Sequence, residues 1–111
     1  MMPISENARI FLLGTPVDLR NGFDGLSFLA QSTFGNELIP DSYFVFFNPR
    51  RTRMKVLYCS NNQLAIWYLR LRKGVFFPPG FLISVEISVK EFTMIMNKQP
   101  PKYLLCLKKY P

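Results

Sequence analysis

Short apolar runs alternate along this chain with turn-forming residues, and their spacing predicts the elements. Residues 9–13 are apolar after Arg9 and are closed by Gly14, Thr15 and Pro16, which reads as a strand and a turn. Asp18 is placed to cap a helix over 18–34, because a short carboxylate accepts from unpaired first-turn amides. Phe23, Leu26, Leu29, Ala30, Thr33 and Phe34 then recur at helical spacing and should face a sheet. Gly22 and Gly25 fall inside that helix, each at a cost of about 1 kcal/mol relative to Ala. Either close helix-to-sheet packing or approach of the backbone to a phosphate would offset it. Gly35 and Asn36 end the helix.

Residues 43–47 are continuously apolar, as a strand buried on both faces must be, and Asn48-Pro49 breaks them. Strands over 54–60 and 63–71 follow, joined by Asn61-Asn62, a pair suited to the positive φ of a type I′ turn. A two-residue turn sets the register. It places Arg53 opposite Arg70, Arg51 opposite Arg72 and Lys55 opposite Tyr68 on one face, with Met54 opposite Leu69, Val56 opposite Trp67 and Tyr58 opposite Ala65 on the other. One face is core, with Trp67 buried, and the other is basic. Towards the turn the basic face becomes apolar, with Leu57 opposite Ile66 and Cys59 opposite Leu64. Either another element covers that end or sheet twist carries it inward.

Beyond Lys73-Gly74, residues 75–77 are apolar and Pro78-Pro79-Gly80 stops them, and 81–86 read as a further short strand. Ser88 and Glu91 have capping-box spacing, with Ile87 and Phe92 placed as a hydrophobic staple, so a second helix is expected over 89–97. After Pro100-Pro101, residues 102–111 read either as a packed strand through 103–107 or as part of a basic tail over 98–111. The expected fold is one α+β domain spanning 1–111: a mostly antiparallel sheet, a long helix after the first strand and a short C-terminal helix.

Composition supports a packed globule. The chain has 111 residues, 49% hydrophobic and 15% aromatic, with eleven Phe to fill a core. No window is long and apolar enough to span a membrane, and Glu6 interrupts any secretion-type leader, so a cytoplasmic protein without membrane contact is expected. Cys59 and Cys106 are far apart and read as buried thiols.

Charge changes the picture more. The formal net charge is +7, yet no Asp or Glu occurs from Ser42 to Val85, where Arg50, Arg51, Arg53, Lys55, Arg70, Arg72 and Lys73 lie. A stretch of one sign repels itself and favours an anionic partner. The catalytic inventory is poor by comparison. The chain contains no His, the commonest general base and zinc ligand, and no phosphate loop of the Walker or Rossmann type. Asp18, Asp24, Glu37 and Asp41 are the acids considered for a carboxylate-held Mg²⁺ site. They fall in a cap, a helix and a loop in a chain too short to add a nuclease fold. No catalytic residue, metal or cofactor is expected.

Asp18, Arg20, Gly22 to Leu26, Phe44 to Phe46, Arg50-Arg51, Lys55 to Leu57, Arg70-Leu71, Gly74 and Phe76 together resemble a known family. It is the small accessory protein encoded beside the transposase in the insertion-sequence family numbered sixty-six, often called TnpB or the second open reading frame product. The resemblance runs from about Arg9 to Pro79. It departs at the hairpin tip, where this chain has Tyr58, Cys59 and Ser60-Asn61-Asn62 in place of a Trp-rich strand end and an Asp-Gly turn. It implies assistance in transposition, with the transposase, the element's other accessory protein and the element DNA as partners. The residues expected to contact nucleic acid are Arg50, Arg51, Arg53, Lys55, Tyr68, Arg70, Arg72 and Lys73. The competing expectation is a protein adaptor that docks on the transposase through the same arginines without touching DNA.

Overall fold

The computed structural model describes residues 4–35, 39–77 and 83–100. Five strands form one sheet in the order β4-β3-β2-β1-β5. They are β1 (Arg9–Leu12), β2 (Ser42–Phe47), β3 (Arg53–Cys59), β4 (Leu64–Arg70) and β5 (Val85–Ile87), with helices α1 (Phe23–Phe34) and α2 (Val89–Met96). Only β1 and β2 run parallel; the other neighbours are antiparallel. Parallel neighbours need a crossover, and α1 lies within the one that joins β1 to β2.

All six residues of β2 are buried, because both faces of the sheet are covered. On one face Phe11, Phe44, Phe46, Leu57 and Cys59 pack with Leu26 and Ala30 of α1. On the other, Ile10, Leu12, Val45, Phe47, Met54 and Val56 pack with Phe76, Phe77 and with Phe92 and Ile95 of α2. The continuous apolar run of β2 is what a strand between two such layers requires. Trp67 is half-buried rather than fully enclosed, its ring stacked 5.9 Å from Tyr43 and 6.0 Å from Tyr58 on the α2 side.

The β3–β4 pairing has the expected register throughout: Arg53↔Arg70, Met54↔Leu69, Lys55↔Tyr68 and on to Cys59↔Leu64. Its turn chemistry differs. Neither Asn61 nor Asn62 has a positive φ, so the connection is not type I′. The Ser60 side chain closes the tip instead: its Oγ accepts from the Gln63 amide at 3.1 Å, while the Ser60 amide donates to the Gln63 carbonyl at 2.9 Å. The apolar tip of the basic face lies in the α1 layer, where Leu57, Cys59 and Ile66 meet that helix.

The helix after β1 is short, not long. It begins at Phe23 with Gly22 as N-cap, so residues 18–22 lie outside it. Val17 and Leu19 are each only 7% exposed and both enter the α1-side core. Residues two apart on a helix point to opposite sides, so burying both keeps this segment out of helical form. Asp18 does cap an amide, but that of Arg20, in a turn closed by the Asn21 amide on the Asp18 carbonyl. Phe23 is 48% exposed and Thr33 is exposed, so the sheet-facing stripe narrows to Leu26, Leu29, Ala30 and Phe34. Gly35 ends α1 at φ 79°, where a residue without Cβ is favoured.

Helix α2 carries the expected capping box: the Glu91 amide donates to Ser88 Oγ at 3.0 Å and the Ser88 amide donates to Glu91 Oε1 at 2.7 Å. Ile87 and Phe92 are buried in one cluster. The expected strand over 81–86 and the segment over 102–111 fall partly or wholly outside the described residues.

Candidate nucleic-acid interface

Arg53 and Arg70 are direct cross-strand partners, both exposed, on the face that α1 covers only towards the hairpin tip. No side-chain hydrogen bond or ion pair engages either among the described residues, whose ion pairs are Arg9–Glu86 and Arg20–Asp18. The next rung holds Lys55 and Tyr68. Lys55 Nζ donates to the Asn21 carbonyl at 2.9 Å and sits 5.2 Å from the centroid of the Tyr68 ring, which is itself 54% exposed.

The third expected rung is absent. Arg51 does not stand opposite Arg72: it is buried, with 0% exposure and a φ of 59°. Asn48 closes the β2–β3 connection, its Oδ1 accepting from the Thr52 and Arg53 amides at 3.0 and 2.9 Å, and the chain must turn left-handed at Arg51 to complete it. The Leu71 amide still reaches the Thr52 carbonyl at 2.9 Å, so the ladder stops one residue short of that rung. Arg51 Nη2 donates to the Gly14 carbonyl at 3.3 Å, and the guanidinium lies 4.8 Å from the Phe77 ring centroid and 5.9 Å from that of Phe47. Burial lowers its pKa. Arg50, Arg72 and Lys73 are exposed, beyond the strand ends.

Beside the arginine pair lies a cleft of about 800 Å³ lined by Pro16, Val17, Asp18, Leu19, Arg20, Asn48, Pro49, Arg53, Lys55 and Tyr68. Its 16–20 wall exists because Val17 and Leu19 are drawn into the core, which leaves Asp18 and Arg20 facing outward between and beyond them. Arg20 Nη2 donates to Asp18 Oδ2 at 2.7 Å and Nε to Oδ1 at 3.1 Å. These guanidinium hydrogen bonds, helped by the Arg20 amide, hold the Asp18 carboxyl at about 2. The cleft therefore brings Arg20, Arg53 and Lys55 into one lining with an aromatic ring and with the Asp18 carboxylate that Arg20 pairs. Nothing local in the sequence marks Arg20 for the cleft: the Asp18-Leu19-Arg20 spacing points there only once Leu19 is buried. The remaining acids form no metal-ligand cluster among the described residues.

The fold and this face define a class: a small three-layer α+β domain with a basic, aromatic-bearing sheet surface beside a cleft. The chain belongs to the IS66 Orf2-like family, whose model, described as IS66 Orf2 like protein, matches residues 8–101. That family has an accessory part in insertion-sequence transposition and is not known as a catalytic one. The chain is 31% identical over 101 residues to the uncharacterized protein y4jC of Sinorhizobium fredii, covering 86% of this chain and 83% of that protein. No solved structure matches. No helix among the described residues is long and apolar enough to cross a membrane.

Proposed function

We propose that the protein is a non-catalytic accessory factor of insertion-sequence transposition that binds nucleic acid, the DNA of the element, through the β3–β4 face. The observation that carries this reading is the Arg53–Arg70 pair, exposed and directly opposed without an acidic neighbour on its rung. Like charges placed across a ladder destabilise a sheet slightly, and a phosphate between them removes that repulsion. Arg50, Arg72 and Lys73 extend positive charge past the strand ends, while Arg20, Lys55 and Tyr68 line the adjoining cleft. Arg51, being buried, supports the surface from beneath rather than touching the partner.

Each phosphate neutralised releases counterions, so affinity falls with salt in proportion to the number of contacts. Changing Arg53 and Arg70 together to Gln should weaken binding to element DNA and flatten the log–log salt slope by about two units, if each contacts one phosphate. The fold should survive, because both side chains are exposed. A folded double variant with unchanged affinity and slope would sink the assignment. Loss of transposase association alone, with DNA binding intact, would transfer the surface to the adaptor reading.

A further inference from the structure

The cleft beside the arginine pair is lined for more than phosphate. Pro16 and Pro49, both exposed, give it apolar surface, and its volume of about 800 Å³ has room for a nucleotide. Tyr68 opens onto it, and the Lys55 ammonium over the ring is tethered to the Asn21 carbonyl, so strand β4 and this tether hold the ring in place before any ligand arrives. A held aromatic surface lowers the ordering cost of stacking.

Asp18 belongs to the same lining. Its carboxylate is taken by the Arg20 guanidinium and amide, which leaves no free anion in the wall to repel phosphate. The Tyr68 ring is the part of the site that backbone phosphates leave unused, and the bases that could stack on it are exposed in single strands and stacked on one another within a duplex.

We propose that this cleft receives an unstacked base of a single-stranded nucleic acid, with the base stacked on Tyr68 and its flanking phosphates on Arg53 and Arg70. The inference rests on the nucleic-acid reading above and narrows it from any backbone to an exposed strand. Base stacking is indifferent to salt whereas phosphate contact is not, so the two parts of the site separate experimentally.

The test is fluorescence anisotropy with a labelled single strand of about twenty nucleotides and a duplex of the same length, across roughly 50–200 mM salt. The proteins compared are the unaltered chain, Tyr68→Ala, Tyr68→Phe and the Arg53→Gln/Arg70→Gln double variant, each checked for fold by circular dichroism. The single strand should bind more tightly than the duplex. Tyr68→Ala should lose about tenfold in single-strand affinity at unchanged salt slope, and Tyr68→Phe should keep it. Duplex binding equal to or tighter than single-strand binding overturns the inference, as does a Tyr68→Ala change within about twofold. If the duplex binds with a slope that the double arginine variant flattens, the nucleic-acid reading stands and only the single-strand inference falls. If folded protein binds neither form, both fall.

Discussion

Arg51 leaves the ladder because the β2–β3 connection needs a left-handed residue where it stands, and the same turn directs its side chain under Phe77 and towards Gly14. Arg53, two positions on, keeps its strand conformation and stays in solvent. The two arginines therefore have separable effects. Arg51→Ala removes a buried, hydrogen-bonded cation and leaves a void, and should cost about 2–4 kcal/mol of stability. Arg53→Ala should change stability by less than about 0.5 kcal/mol. Urea unfolding reads both numbers, and an Arg51→Ala protein as stable as the parent would refute the structural role. In DNA binding the order reverses: Arg53→Ala should lower the salt slope by about one unit, and Arg51→Ala, while folded, should leave it alone.

Helix α1 shows how one element depends on the turn before it. Gly25 was expected to serve either close contact with the sheet or a phosphate. Its neighbour is instead the side chain of Asn21, against which any Cβ would collide. Asn21 Nδ2 donates to the Asp18 carbonyl at 2.7 Å, and the Asn21 carbonyl receives Lys55, so the glycine makes room for the turn that anchors the cleft. Gly→Ala in a helix normally gains about 1 kcal/mol. Gly25→Ala should gain that only when Asn21 is also changed to Ala, and nothing in the parent chain. A double-mutant cycle by thermal unfolding measures the difference, and equal gains in both backgrounds would show that the contact is inconsequential.

At the scale of the whole molecule, the α1 and α2 layers share the central strand β2, so neither core can be lost without exposing the other. Trp67 reports on the α2 side through its stacking with Tyr43 and Tyr58, while far-ultraviolet circular dichroism reports on helices and sheet together. The two signals should trace one coincident urea transition, as expected of a single cooperative domain. Separate midpoints would mean that the layers unfold independently.

The local pattern was enough to read β1 to β4, the β3–β4 register and the capping box of α2 directly from the chain. Period-two alternation, a two-residue connection and a Ser-x-x-Glu spacing are interactions between near neighbours, written within a few residues of one another. The same alternation set Arg53 beside Arg70 and Lys55 beside Tyr68. What the sequence did not contain was the competition between local preference and distant burial. Asp18 has the chemistry to start a helix, but Val17 and Leu19 on either side of it gain more by entering the core, and α1 starts only at Phe23. Arg51 sits in a run of charge that reads as surface, yet the backbone turn and the aromatic rings of Phe47 and Phe77, the latter far along the chain, bury it. The cleft is a product of that same competition: Arg20 and Asp18 come from one segment and Arg53, Lys55 and Tyr68 from another, and only the folding of both against β2 brings them to a common wall.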